Sequence, residues 1–263
     1  MLDNDFLKRV FKVAWPSVLE SVFIALAGII DTYMVSSLGT YAISAVGLTN
    51  QPKFLGLSIF FSINIAVSAL VARRKGEEDR RKANEVLVTA FSVAMILCVI
   101  ISTVMVTFSD QILTLAGSKS DTHDYAIEYF KIIMGFSIFN VISMVINASQ
   151  RGSGNTKIAF TTNLVSSIVN ICFNYILING KLGFPAMGVK GAAIATILGT
   201  FVASIMSIRS LFKTGSYVRI PFILKYKIKP AFDSFVSIMK LGLNMFVENL
   251  AMRIGFLSTA LMA

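Results

Sequence analysis

Long apolar runs alternate with short polar segments along nearly the whole chain. A helix that crosses a bilayer needs about 20 mostly apolar residues, and the runs have about that length. The segment Ser36–Thr40 predicts a tight turn that divides one longer apolar stretch into two helices. The pattern therefore predicts an all-α membrane protein with seven spanning helices, at about residues 15–37, 44–72, 86–108, 127–149, 158–179, 189–211 and 236–261.

The composition supports a membrane protein and excludes several other classes. Hydrophobic residues make up 55% of the 263 residues and charged residues only 14%, whereas a soluble domain carries roughly 25% charged residues. Two Cys and one His exclude a disulfide scaffold and a cysteine zinc site. No Gly-Lys-Ser/Thr phosphate loop is present. We therefore expect no enzyme, no metal site and no cofactor, and any active transport has to run on an ion gradient.

The basic residues are distributed unevenly between the two sets of alternating connections. Eighteen Lys and Arg fall in one set and four in the other, which predicts a cytoplasmic amino terminus by the positive-inside rule. The net charge of +10 is then mainly a topology signal. We expect no nucleic-acid binding by the run Arg73–Lys82, because Glu77, Glu78 and Asp79 interrupt it.

The connections also suggest how the chain is divided. Residues 1–208 hold six spans joined by short loops and form the predicted first lobe. Residues 209–235 are basic and contain Gly215, Pro221 and Pro230, so they are predicted to be a cytoplasmic connector. Residues 236–263 are predicted to be the first helix of a second lobe. Because the sequence stops inside an apolar run, we expect a missing second lobe that belongs to the same chain.

Asp31 is the first candidate for chemistry inside a span. It lies about five residues before the outer turn, and a carboxylate in the bilayer costs roughly 2.5–3.5 kcal/mol, so it usually faces a cavity, a partner or an ion. Binding of H⁺ or Na⁺ there can be coupled to a change of shape. The alternative is a carboxylate that reaches the outer interface or caps the turn.

Two amides and a second acid form the next candidates. Asn170 and Asn174 are four residues apart and share one helical face, which predicts either an inward polar site or hydrogen bonding between helices. Glu248 lies among apolar residues, and its alternative is a neutralising pair with Arg253.

Glu20 and Lys53 are also charged residues inside apolar segments. We expect Glu20, near the cytoplasmic end of the first span, to be an interfacial carboxylate within reach of water. Lys53 has two open interpretations: it faces a substrate vestibule or an acid, or its long stem reaches the interface.

Several motifs in order resemble one family, the multidrug and toxic compound extrusion (MATE) transporters. Each motif alone is weak, but the five occur in the family's order across residues 14–248. They are Asp31–Val35 with Leu38-Gly39 and Ala45–Leu48, then Leu70–Asp79, Gln150–Lys157, Gly188–Thr196, and Leu241-Gly242 followed by Glu248. The resemblance implies a six-helix transmembrane bundle, the N-lobe of a twelve-helix MATE-like fold, plus a seventh helix.

The resemblance also implies a function. It implies efflux of hydrophobic or cationic compounds, coupled to H⁺ or Na⁺, by alternating access of two lobes. The ion-coupling residues it implies are Asp31, Asn170, Asn174, Thr196 and Glu248; it does not identify the residues that bind substrate. The sequence departs from the family pattern at Leu243-Asn244, where Pro is frequent, and at Asn174, where some members carry Asp.

Two other functions remain open from the sequence. A flippase for lipid-linked saccharides in the same superfamily is expected to have several cations in its cavity to hold pyrophosphate. Here the only basic residues not assigned to the connections at the ends of the spans are Lys53 and Arg253, which favours small hydrophobic or cationic cargo. The third interpretation is a half-length membrane protein that does not transport.

Overall fold

The computed structural model describes the backbone of residues 4–262 and the side chains of residues 15, 18–248 and 251. Throughout that part of the chain the structure is helical and contains no strand. The helices are α1 (Asn4–Ser36), α2 (Thr40–Gly76), α3 (Arg80–Thr107), α4 (Ser109–Leu115), α5 (His123–Gly135), α6 (Ser137–Gly152), α7 (Thr156–Leu177), α8 (Gly188–Ser210), α9 (Ile220–Lys225) and α10 (Phe232–Met262).

The predicted all-α membrane class is confirmed. Among the described residues α1, α2, α3, α7 and α8 each contain a segment long and apolar enough to cross a membrane, and α5 with α6 makes a sixth candidate. The helix α10 covers the predicted seventh span. The predicted turn is also confirmed, since α1 ends at Ser36 and α2 begins at Thr40. Gly39 between them has φ of 112°, a conformation that glycine adopts without strain.

The predicted fourth span is two helices with a bend of 45° between α5 and α6. A bend inside a membrane leaves backbone groups without their helical partners, and a neighbouring side chain has to satisfy them. Ser102 of α3 does so, because its hydroxyl donates to the Met134 carbonyl at 2.7 Å. The break therefore lies where α3 supplies a hydrogen-bond donor.

Helices α7 and α8 pack so closely that their contact requires glycine. A Cβ placed on Gly191 would lie 2.7 Å from the Leu177 carbonyl oxygen, and one on Gly199 would lie 2.7 Å from that of Ser166. Small residues allow such close backbone contact between membrane helices. The two glycines fix α7 against α8 at two levels.

The segment predicted to be a connector is attached to the first turns of α3. The Asn84 side chain is fully buried; its amide nitrogen donates to the Tyr217 carbonyl at 3.2 Å, and its oxygen accepts from the Arg219 backbone at 3.0 Å. Arg80 donates to the carbonyls of Ser216 and Tyr217 at 2.7 and 2.9 Å. The boundaries of the two lobes stay a prediction, but the connector itself packs on the first six spans.

Replacement of Asn84 by Ala tests this attachment. We expect a loss of about 1–3 kcal/mol in the free energy of unfolding, because the Arg219 backbone N–H loses its buried acceptor. The measurement is the midpoint of thermal unfolding of purified protein in detergent, which should fall by several degrees. Asn244→Ala, at an exposed position of α10, is the matched control and should leave the midpoint unchanged. Equal effects of the two substitutions would refute the attachment.

Candidate functional site

A polar cluster joins α1 to α7 in the outer half of the predicted membrane segment. Asn174 of α7 is fully buried, and its amide nitrogen donates a hydrogen bond to the Asp31 carboxylate of α1. The described part of α1 is mostly exposed on its other sides. The contact between Asp31 and Asn174 is therefore a main polar attachment of α1 to the rest of the bundle.

The cluster continues from α7 to α8. The Asn174 amide also lies 3.4 Å from the Asn170 side-chain oxygen, and the Asn170 amide donates to the Thr196 hydroxyl at 3.2 Å. The Thr196 hydroxyl in turn donates to the Ala192 carbonyl at 3.0 Å. The structure thus brings together four of the five predicted ion-coupling residues, and their role stays a prediction.

One oxygen in the cluster has no hydrogen-bond donor. Among the described residues, the side-chain oxygen of Asn174 is buried and without a partner. A buried acceptor of this kind costs free energy unless a donor or a cation satisfies it. Carboxylate, amide and hydroxyl oxygens are of the kind that hard cations prefer, and the cluster contains all three in Asp31, Asn174 and Thr196.

Lys53 and Tyr129 complete the surroundings of Asp31. The Lys53 ammonium donates to the Asn50 side chain at 3.0 Å and lies 5.9 Å from the centre of the Tyr129 ring. It is also close enough to Asp31 for the two charges to attract each other. Tyr129 is buried and within hydrogen-bonding reach of Thr196. The interpretation of Lys53 as facing an acid is the one that the structure favours.

Neither residue belongs to the predicted ion-coupling set, for different reasons. Lys53 had a clear signal, since a cation within an apolar span needs an explanation. Tyr129 had none, because a tyrosine in an apolar helix is ordinary and nothing in the sequence places α5 beside Asp31.

Glu248 lies elsewhere in the structure. It is an exposed residue of α10, and within the described residues α10 packs against α2 and α3, not against α1, α7 or α8. The side chain of Arg253 lies outside the described residues, so its pairing with Glu248 stays a prediction. The structure does not join Glu248 to the Asp31 cluster.

The helices and the polar cluster can be compared with known proteins. A family model named MatE matches residues 16–176, more than half of the chain. The chain belongs to the MATE family. Together with the apolar helices described above, membership makes it a multi-pass membrane protein.

Similar proteins agree with this assignment. The chain is 28% identical to the probable multidrug resistance protein NorM of Thermotoga maritima, over 97% of this chain and 54% of that protein. It is 26% identical to the FAD transporter of Shewanella oneidensis, over 79% of this chain and 46% of that protein. The chain spans about half the length of the curated relatives it matches.

Solved structures show the same fold. A multidrug resistance MATE family transporter of the MOP superfamily, in an outward-facing conformation, superposes with a TM-score of 0.86 at 29% identity. The match covers 95% of this chain and 54% of that one. The predicted resemblance to the first lobe of a MATE transporter is confirmed.

A second polar cluster of this MATE lobe surrounds Glu20. The expectation that Glu20 is reachable by water is wrong, because its side chain is only 8% exposed. Arg151 of α6 donates to its carboxylate at 3.0 Å, and Asn163 of α7 donates to the same oxygen. Arg151 also donates to Asn64 of α2 at 3.2 Å. The cluster therefore ties four helices together near the predicted cytoplasmic side.

Replacement of Arg151 by Ala tests the stabilising role of the Glu20 cluster. Removing one partner of a buried ion pair leaves the other charge uncompensated, at a cost of about 3–5 kcal/mol. Because Arg151 is itself partly exposed, we expect a loss near the lower end of that range. The measurement is thermal unfolding in detergent.

Two further variants make this prediction specific. The double variant Glu20→Gln/Arg151→Gln should recover part of the loss, since no buried charge then remains. Glu128→Ala, which breaks the exposed pair with Lys190, should cost less than about 1 kcal/mol. A loss for Arg151→Ala no larger than that for Glu128→Ala would contradict the buried ion pair.

Proposed function

We propose that the chain forms the first lobe of a secondary-active transporter that exports hydrophobic or cationic small molecules in exchange for H⁺ or Na⁺. The observation that carries the proposal is the Asp31 carboxylate held by Asn174 in a cluster that joins α1, α7 and α8. The multidrug relatives support the class of cargo. On this proposal the protein is a transporter and not an enzyme, and it works with a second lobe in the lipid bilayer.

The coupling ion acts on the attachment of α1. A hydrogen bond to an ionised acceptor is about twice as strong as one between neutral groups, so protonation of Asp31 weakens its bond from Asn174. Na⁺ instead brings the Asp31 carboxylate and the free Asn174 oxygen to one ion. Either event changes how α1 packs on α7 and α8, which repacks the lobe and expels the cargo.

The Lys53 ammonium competes with the coupling ion for the Asp31 carboxylate. It lies close enough to Asp31 to offset part of the negative charge when no ion is bound. An incoming H⁺ or Na⁺ has to compete with it, so Lys53 sets how tightly the coupling ion is held.

Alternating access then requires one lobe to move against the other. The connector is attached to α3 through Asn84 and Arg80, and the Ala231 backbone donates to the Thr89 hydroxyl at 3.0 Å. We therefore place the pivot beyond Ala231, at α10, and not in the connector. The predicted side of the membrane for these segments is the cytoplasm.

A second candidate function is the transport of an anionic cargo. The relative named as an FAD transporter supports it. Lys53 also places a positive charge beside Asp31, where it could contact an anionic cargo. A flippase for lipid-linked saccharides falls under this candidate, although a single cation near Asp31 favours it less than a cluster would.

Replacement of Asp31 by Asn tests the coupling site. We expect loss of gradient-driven transport with normal insertion into the membrane, because the neutral amide cannot exchange an ion. The measurement is transport of a fluorescent cationic dye by vesicles that carry the full-length protein, with H⁺ and Na⁺ gradients imposed separately. Asp121→Asn, at an exposed position of an outer loop, is the control and should transport normally. Unchanged transport by Asp31→Asn would exclude the proposed site.

Replacement of Lys53 by Gln tests the competing cation. At an effective dielectric constant of about 20, two charges several Å apart interact by about 2 kcal/mol. We therefore expect the coupling ion to bind about 30-fold more tightly, seen as a lower ion concentration at half-maximal transport. Lys119→Gln, in an outer loop, is the matched control. An unchanged or higher half-maximal concentration for Lys53→Gln would show that Lys53 does not compete with the ion.

A further inference from the structure

The structure contains a basic cleft between the ends of α7 and α8 that lie opposite the Asp31 cluster. Its volume is about 780 Å³, and it is open at the surface of the protein. Three basic side chains line it, from Lys157 at the start of α7, Arg209 at the end of α8 and Lys213 just after it. Apolar side chains also line it, namely Ile158, Met206 and Phe212.

The three cations of the cleft differ from four basic residues on this side, Arg73, Arg74, Lys82 and Arg151, which are paired with acids. Within the part of the chain that the structure describes, no acidic group lies within ion-pair distance of Lys157, Arg209 or Lys213. By contrast, Arg73 and Arg74 both bind Glu77, and these hydrogen bonds, from Arg74 above all, lower the pKa of the Glu77 carboxyl. The positive charge of the cleft is therefore uncompensated, which favours an anion.

Further donors face the same place. Asn155 precedes α7 and lines the cleft, but its side chain makes no capping hydrogen bond. The backbone N–H groups of the first turn of this 22-residue helix therefore have no side-chain cap. Uncapped helix N-termini bind phosphate through these N–H groups and the helix dipole. The cleft thus combines three cations with a helix end that suits a phosphate.

The apolar side chains of the cleft indicate that the anionic group belongs to an amphipathic ligand. Phe212 is 56% exposed and lies beside Lys213, so an amphipathic ligand gains apolar burial as well as charge contacts. A free inorganic phosphate or another small polar anion contacts only the basic side chains. The cleft lies where α7 and α8 leave the predicted membrane core, at the level of lipid headgroups, and basic pockets between spans at this level suit anionic headgroups.

We propose that this cleft binds an anionic phospholipid, with the headgroup phosphate on Lys157, Arg209 and Lys213 and an acyl chain along Phe212 and Met206. The bound lipid joins α7 to the start of the connector, because Lys213 lies beyond the end of α8. The site is separate from the Asp31 cluster, and the proposal does not rest on the transport function.

Native mass spectrometry of the full-length protein in detergent tests the proposal, with phosphatidylglycerol, cardiolipin or phosphatidylcholine added at equal concentrations. We expect adducts of the two anionic lipids at least tenfold more abundant than those of phosphatidylcholine. The triple variant Lys157→Ala/Arg209→Ala/Lys213→Ala should lose this preference. The control Lys225→Ala/Lys227→Ala/Lys229→Ala, with the same change of charge in the connector, should keep it.

Two more arms separate the remaining outcomes. The charge-preserving variant Lys157→Arg/Arg209→Lys/Lys213→Arg should retain anionic lipid, which distinguishes lost charge from misfolding. Inorganic phosphate at millimolar concentration should not displace the lipid. Equal loss in the cleft and control variants, retention in the cleft variant, or displacement by phosphate alone would each overturn the proposal.

Discussion

The hydrogen bond from Asn174 to Asp31 attaches α1 to α7 in the part of the lobe predicted to face outward. An isolated polar group inside a membrane is costly, so the buried amide and the carboxylate each require the other. Most apolar side chains on the described part of α1 are exposed, and within the described residues α1 packs mainly on α7. The Asp31 carboxylate therefore lies at the boundary that holds α1 in place.

Apolar runs predicted the spans well, because the length needed to cross a bilayer leaves a clear mark on a sequence. The break between α5 and α6 was not predictable from those runs. The Ser102 hydroxyl on α3 satisfies a carbonyl at this break, and a serine within an apolar helix carries no sign of which carbonyl it will satisfy. Because a side chain of another helix forms the hydrogen bond to this carbonyl, the bend occurs without a Pro in the sequence around it.

The polar partners were predicted only where they lie on one helix or where a family resemblance supplied them. Asn170 and Asn174 share a face by their spacing alone. Glu20 and Arg151 are separated by 131 positions, and no periodicity relates them, so the sequence predicts a solvated charge where the structure has a buried pair. Asn84 gave no signal at all, since its partners are backbone atoms of a connector that folds back on α3.

The glycine contacts between α7 and α8 have a mechanical consequence. Close backbone contacts at Gly191 and again at Gly199 oppose sliding or rotation of α7 against α8, so we expect the two helices to move together. Asn174 and Lys157 lie about 25 Å apart along α7, at 1.5 Å per residue. On the proposed function, a tilt of α7 that begins beside Asp31 displaces Lys157 as well, so the lipid proposed to bind there would affect the energy of that tilt.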